Sequence, residues 1–309
     1  MASATVLRSS GGVYDVELED GTVAEAVLRG RLKLEQRTGD RVVAGDIVEV
    51  SRHPDHSLTI EAVTPRRSQL ARRAPGGRSH KASVIVANID RVILVFAAAR
   101  PEPKARLLDR FLVLVEANAL YALVVLNKVD LVSDDVAAGF LAPYEAAGYP
   151  TLRTCALTGL GVDALRAALC RARSVVTGPS GAGKSSLLNA VQPGLGRRVA
   201  AISEAVRKGR HTTVTAELIP LTCSGYVADT PGLREVGLWG VEPQALAACF
   251  REFRPHTGAC RFSRSCTHTH EPECAVRKAV DSGEIAHARY ESYVILREEA
   301  VQARPHGGW

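Results

Sequence analysis

Apolar and polar residues alternate over short runs at the start of the chain. Val13-Tyr14-Asp15-Val16-Glu17-Leu18-Glu19 leads to a turn at Asp20-Gly21, then come Val23–Leu28 and Gly45-Asp46-Ile47-Val48-Glu49-Val50. Period-two alternation broken by turn signals predicts about five short strands between Val13 and Val63, and hence a small β-barrel. Pro65 to His80 carries many Arg with two Pro and two Gly, and reads as a flexible basic linker. The period then changes. Arg91-Val92-Ile93-Leu94-Val95-Phe96-Ala97 is continuously apolar over the length of a strand, a helical stretch covers Lys104–Ala119, and Ala122–Leu126 is apolar again. Further strand-like runs fall at Thr151–Cys155, Ser174–Thr177 and Gly225–Ala228, with helices predicted over Val162–Arg171 and Lys184–Val191. Apolar strands alternating with helices predict a parallel sheet covered on both faces. From Glu242 onward helical patterns flank a group of Cys and His, and Pro305–Trp309 reads as a loose end.

Length and charge refine this picture. At 309 residues the chain exceeds one ordinary core, at roughly 100–200 residues per domain. Its 46% hydrophobic and 23% charged residues are the mix of a globular protein and exclude bulk disorder or a fibrous class. Lys and Arg exceed Asp and Glu by 39 to 33, and the excess is visible in the Arg-rich run, which admits a polyanion as partner. No apolar stretch approaches the roughly 20 residues that span a bilayer, and Met1–Gly12 has no apolar signal segment, so no membrane partner and a cytoplasmic location are expected. Seven Cys make an odd set, three of them between Cys260 and Cys274, which fits a metal cluster better than a disulfide framework. Cys170, Cys223 and Cys249 lie in apolar or mixed contexts and read as buried small hydrophobes.

The chemistry concentrates at the ends of the predicted strands. Gly178, Pro179, Ser180, Gly181, Ala182, Gly183, Lys184 and Ser185, with Ser186 next, match a phosphate-binding loop between a strand and a helix. The glycines let backbone amides turn toward phosphates at a helix N-terminus, Lys184 reaches the terminal phosphates, and the Ser185 hydroxyl can ligate Mg²⁺. Asp229-Thr-Pro-Gly232 follows another strand, where the carboxylate can hold Mg²⁺ through water and the Gly232 amide can sense the γ-phosphate. Asn127-Lys128-Val129-Asp130 ends the Ala122–Leu126 strand. There Asp130 can accept two hydrogen bonds from guanine, a pair that adenine does not offer. Cys155-Ala156 is placed to give a backbone amide to the base oxygen. GTP and GDP are therefore the expected nucleotides. The base-reading segments precede the phosphate loop, opposite to the usual GTPase order, yet loops at the carboxyl ends of parallel strands share one edge however the strands are connected.

Taken together the motifs resemble the circularly permuted GTPases, and within them the ribosome small-subunit-dependent GTPases. The resemblance rests on Asn-Lys-Val-Asp preceding Gly178–Asn189, and on Gly209-Arg-His-Thr-Thr213. It rests also on Asp229-Thr-Pro-Gly-Leu-Arg-Glu235 and Leu238-Trp-Gly-Val-Glu-Pro243. It implies an OB-like barrel contacting RNA over residues 1–72, a permuted α/β GTPase domain over 73–240 and a zinc-binding helical domain over 241–309. It further implies a monomer that hydrolyses GTP during late maturation of the small ribosomal subunit, with that subunit and its rRNA as partners. Gly209–Thr213 becomes the first switch, with Thr212 or Thr213 contacting Mg²⁺ and the γ-phosphate, and Arg207, Lys208 and Arg210 beside it to face rRNA. Leu233 stands where many small GTPases carry a water-positioning Gln, and an aliphatic side chain cannot orient water, so unaided hydrolysis should be slow. His211 is a polar candidate for the catalytic loop, a structural role being the alternative. Cys260-x5-Cys266-x-His268-x5-Cys274 offers three thiolates and an imidazole, a closed tetrahedral set for structural Zn²⁺, with one residue more between the first two Cys than the family pattern has. His256 and His270 are nearby alternatives as ligands.

Overall fold

The computed structural model describes residues 1–30, 32, 41–73, 82–199, 216–229 and 241–302. Its first part is a closed five-stranded barrel: β1 (Ala2–Ser10), β2 (Val13–Leu18), β3 (Val23–Leu28), β4 (Ile47–Arg52) and β5 (Leu58–Val63), in the order β1-β2-β3-β5-β4. Alternate residues point inward, so Val6, Val16, Val48, Val50 and Ile60 fill the interior. The strand Ala2–Ser10, absent from the sequence reading, closes the barrel between β2 and β4.

Part of the expected linker is ordered structure. β6 (Gln69–Arg73) pairs antiparallel with β7 (Ala82–Ala87). Leu70 and Val86 are fully buried on that hairpin, and Arg66 just before it forms an ion pair with the buried Asp46 at 2.7 Å. The Arg-rich composition hid an apolar anchor and a paired guanidinium.

The central sheet has the order β10-β9-β8-β11-β13-β12, built from β8 (Arg91–Ala97), β9 (Tyr121–Asn127), β10 (Thr151–Thr154), β11 (Arg173–Thr177), β12 (Glu217–Pro220) and β13 (Tyr226–Asp229). All neighbours are parallel except β12, which returns antiparallel to β13. Burial on both faces explains the unbroken apolar run of β8. Val92, Leu94 and Phe96 join one cluster with Leu108, Phe111, Leu112 and Val115 of α1 (Ala105–Ala117) and Leu141 and Tyr144 of α2 (Asp134–Ala146). Ile93 and Val95 join the opposite cluster with Val162, Leu165 and Leu169 of α3 (Val162–Leu169) and Leu187, Leu188 and Val191 of α4 (Lys184–Val191). The spacing 108, 111, 112, 115 puts one stripe of α1 on the sheet.

The third part carries short helical turns, then α5 (Ala275–Asp281) and α6 (His287–Gln302) around Phe250, Phe253, Tyr293 and Leu296. It is fastened to the sheet domain by a buried ionic cluster in which Arg289 donates to Asp109 of α1 at 2.5 Å and to Glu252 at 2.7 Å. Burial works against the Arg289 charge, but Asp109 and Glu252 outweigh it and hold the guanidinium ionised. Among the described residues no helix is long and apolar enough to cross a membrane.

Candidate functional site

Strand order decides where the site lies. From β8 the chain moves outward through β9 and β10, then returns to lay β11 on the other side of β8. Connections therefore diverge between β8 and β11, and an open parallel sheet has its binding crevice at the carboxyl ends of strands beside such a divergence. Four motif segments meet along that edge. Asn127 ends β9, Cys155 follows β10, Gly178 follows β11 and Asp229 ends β13.

The Asn127 side chain ties these segments together. Its Nδ2 donates to the Ala182 carbonyl at 2.9 Å, and its Oδ1 accepts from the Thr154 hydroxyl at 3.2 Å. Both Asn127 and Thr154 are buried, so the amide is held in one orientation between the phosphate-loop motif and β10. Gly183 lies against it with φ +88°, and a Cβ there would stand 2.3 Å from Asn127 Nδ2. A side chain at 183 would thus be strained by its backbone and would break the contact. Lys128 has left-handed backbone, φ 61°, and its Nζ donates to the carbonyls of Gly181 at 2.7 Å and Arg100 at 2.5 Å. Val129 and Asp130 form a single 3₁₀ turn with Leu131.

In the phosphate-loop motif, Gly178 to Gly183 link β11 to α4, and Lys184, Ser185 and Ser186 open the helix with Gly183 as its N-cap. Lys184 Nζ folds back over the loop, donating to the carbonyls of Pro179 at 2.7 Å and Gly178 at 2.8 Å. The loop after β10 is closed on itself, for the Cys155 amide donates to Leu160 O and the Gly159 amide to Cys155 O, both at 2.9 Å. Of the pair Cys155-Ala156, expected to give a backbone amide to the base, the Cys155 amide is thereby committed locally. Asp229 ends β13 beside β11. Thr212, Thr213, His211, Gly232 and Leu233 lie outside the described residues, as do Arg207, Lys208 and Arg210. Thr154 and the Arg100 carbonyl were missed in the sequence, because neither belongs to a motif and only the sheet order brings them to the site.

The second centre is the cluster Cys260, Cys266, His268 and Cys274, whose ligand atoms all lie within 4.8 Å of one another. His268 Nδ1 is 3.5 Å from Cys260 Sγ and 3.4 Å from Cys274 Sγ, and the Cys260 and Cys274 sulfurs are 3.9 Å apart. The longer loop between Cys260 and Cys266 closes without excluding Cys260. Burial pushes the Cys266 thiol up to about 12 and raises Cys274, while burial lowers His268 and keeps its imidazole neutral. Three buried sulfurs become stable thiolates only with a cation among them, and a neutral imidazole completes the tetrahedral donor set that zinc takes. The surroundings fix the ligand loop. Tyr290 and Tyr293 hydroxyls donate to the carbonyls of His268 and Thr267 at 2.8 and 2.7 Å, and Glu271 accepts from the Thr267 amide at 2.7 Å. Burial opposes ionisation of Glu271, but the Thr267 hydroxyl and the amides of Thr267 and Thr269 outweigh it and hold the carboxyl at about 2. His270 instead meets Thr269, and His256 lies 3.8 Å from Glu284, so neither enters the cluster.

Two of the remaining Cys depart from expectation. Cys170 and Cys223 are joined by a disulfide, with Cα atoms 5.2 Å apart. Their apolar and mixed sequence contexts predict separate buried small hydrophobes; the β12–β13 turn instead brings them together across 53 residues. Cys249 is buried and free, as expected.

Comparison with known proteins agrees with this architecture. The chain is 53% identical to the small ribosomal subunit biogenesis GTPase RsgA of Gemmatimonas aurantiaca, over 97% of both chains. It is 43% identical to the protein of the same name from Moorella thermoacetica, over 96% of this chain and 97% of that one. The crystal structure of YjeQ from Thermotoga maritima superposes with a TM-score of 0.81 at 36% identity, covering 98% of this chain and 99% of the other. That of YloQ, a circularly permuted GTPase, superposes with a TM-score of 0.76 at 28% identity, covering 99% and 97%. The RsgA GTPase family model matches residues 63–239, from the end of the barrel through both phosphate-side motifs, and with these relatives it shows that the chain belongs to the RsgA GTPase family.

Proposed function

We propose that this chain hydrolyses GTP to GDP and phosphate late in maturation of the small ribosomal subunit, and that docking on the subunit stimulates turnover. The observation that carries the nucleotide reading is the Asn127 side chain, which makes the base-reading segment and the phosphate loop one rigid site. In this reading Asp130 accepts from the guanine ring N–H and amine, Asn127, Lys128 and Val129 form the wall beside it, and Ala156 gives its amide to the base oxygen. Cys155 shapes that loop through its own hydrogen bonds. The amides of the loop from Gly178 to Gly183, Pro179 excepted because it has no N–H, and those of Ser185 and Ser186 at the start of α4 cradle the phosphates. Lys184 exchanges its carbonyl partners for the β- and γ-phosphate oxygens, a move that needs only rotation of a flexible side chain.

Ser185 on α4 and Asp229 on the neighbouring strand are the residues that would hold Mg²⁺. Their hydroxyl and carboxylate oxygens suit a hard cation, which would neutralise developing phosphate charge. Thr212, Thr213 and Gly232 would contact the γ-phosphate side, and His211 would act in the stimulated reaction. Leu233 supplies no group to orient water, which supports a dependence on the subunit. The closed barrel, a shape common among RNA binders, and the Arg-rich run between residues 65 and 81 support contact with rRNA. Action as a monomer in the cytoplasm completes the reading.

Sedimentation with purified small subunits tests the partner. Retention with a non-hydrolysable GTP analogue and release with GDP are expected. Equal pelleting in both nucleotide states would count against nucleotide-controlled docking.

A further inference from the structure

We propose that Cys170 and Cys223 form a reversible, oxidant-closed clamp that fixes the hairpin carrying Asp229 to the strand leading into the phosphate loop. Cys170 caps the C-terminus of α3, three residues before β11 begins, and Cys223 sits in the turn between β12 and β13. Three features bring the sulfurs together without help from the bond. The Arg171 amide donates to Cys223 O at 3.3 Å, and the Tyr226 amide donates to Ala172 O at 2.8 Å. Gly225 passes so close to the end of α3 that a Cβ on it would lie 2.2 Å from Leu169 O. The Cα separation of 5.2 Å is within the range a disulfide bridges without moving backbone. The two thiol-bearing segments are therefore preorganised, and closing the bond demands little rearrangement.

Accessibility singles out this pair. Both residues are half-buried, whereas Cys155, Cys249, Cys260, Cys266 and Cys274 are all buried. In a compartment that keeps thiols reduced, an accessible bridge opens and closes with the thiol–disulfide poise rather than standing as a permanent brace. A low-molecular-weight disulfide such as oxidised glutathione is a sufficient oxidant. One protein thiolate attacks a sulfur of that molecule, forming a mixed disulfide and expelling one small thiolate. The second protein thiolate attacks the protein sulfur of the mixed disulfide, forming the Cys170–Cys223 bond and expelling the second. The protein gives up two electrons and two protons, and the small disulfide becomes two thiols. The closed form ties together two strands whose opposite ends carry Gly178 and Asp229. It thereby restrains the hairpin against independent opening.

The test uses the full zinc-loaded chain, kept in dithiothreitol or exposed to oxidised glutathione, and read by peptide mass mapping and by hydrogen exchange across residues 217–229. Expected are a 170–223 cross-linked peptide that dithiothreitol reverses, and exchange across the hairpin slowed several-fold in the oxidised form. Cys223→Ser should abolish both effects while leaving exchange in the reduced form unchanged. Free thiols at 170 and 223 after oxidation would overturn the proposal, as would a cross-link with unchanged exchange. Slowing that persists in Cys223→Ser would assign the effect to other cysteines and overturn it equally.

Discussion

Replacing Asn127 by Ala removes the buried side chain that, beside the more exposed Lys128, joins the base-reading segment to the phosphate loop. Two hydrogen bonds are lost, to Ala182 O at 2.9 Å and from the Thr154 hydroxyl at 3.2 Å, at a residue 1% exposed. Each is worth about 1 kcal/mol net, and leaving the buried Ala182 carbonyl and Thr154 hydroxyl unsatisfied adds to that, for a total of about 2–4 kcal/mol. Part of this loss falls on the free protein, whose melting temperature should drop. The rest appears when nucleotide must order a loop that was previously held. A share of about 1.4 kcal/mol would weaken GDP binding about tenfold. Calorimetric titration with GDP, alongside thermal melts with and without nucleotide, separates the two parts. Thr154→Val keeps the bond to Ala182 and should give a smaller loss in both. A variant Asn127→Ala that melts earlier but binds GDP as tightly as the parent would refute the argument, since the bond would then stabilise the fold without preparing the site.

The other expectations follow from the same geometry. Asp130→Asn should weaken guanine binding and shift preference toward xanthine, because an amide can donate to the 2-keto oxygen; unchanged GTP affinity would remove Asp130 from base recognition. The purified chain should hold about one zinc, and Cys274→Ser should loosen it, as measured by metal analysis and competition with a chelator. Because burial raises the thiols, protons compete for the same sulfurs, so zinc should be released as pH falls; pH-independent retention would argue against thiolate ligation. Arg289→Ala strands Asp109 and Glu252 in the interface and should cost about 3–5 kcal/mol in thermal or urea unfolding, a cost that an unchanged melting curve would exclude.

What could be read from the sequence depended on whether a residue's partners are near it in the chain or are implied by a period. The helix Lys184–Val191 was legible to its ends because Gly183-Lys184 marks its start and its burial repeats along the turns. The zinc ligands were legible because four donors fall within fifteen residues of chain. The strand Ala2–Ser10 escaped because a bulge between Val6 and Arg8 sets two buried apolar residues, Val6 and Leu7, side by side and breaks the alternation. Gln69–Arg73 escaped because Leu70 is its single large apolar residue, flanked by Arg whose charges satisfy partners in the barrel and the sheet. The Cys170–Cys223 bridge depends on the β12–β13 turn folding back onto the end of α3, and the Arg289 cluster on the third part packing against the sheet domain, over 53 and 180 residues of chain, and no local pattern reports them. The same limit applies to Thr154, whose role exists only because β10 lies beside β9.

GTP turnover measured with and without purified small ribosomal subunits tests the central claim most directly. The account predicts slow hydrolysis by the isolated chain, because Leu233 offers nothing to orient water, and a large acceleration when subunits are added. Fast turnover by the isolated chain, or a rate that subunits leave unchanged at saturation, would contradict it.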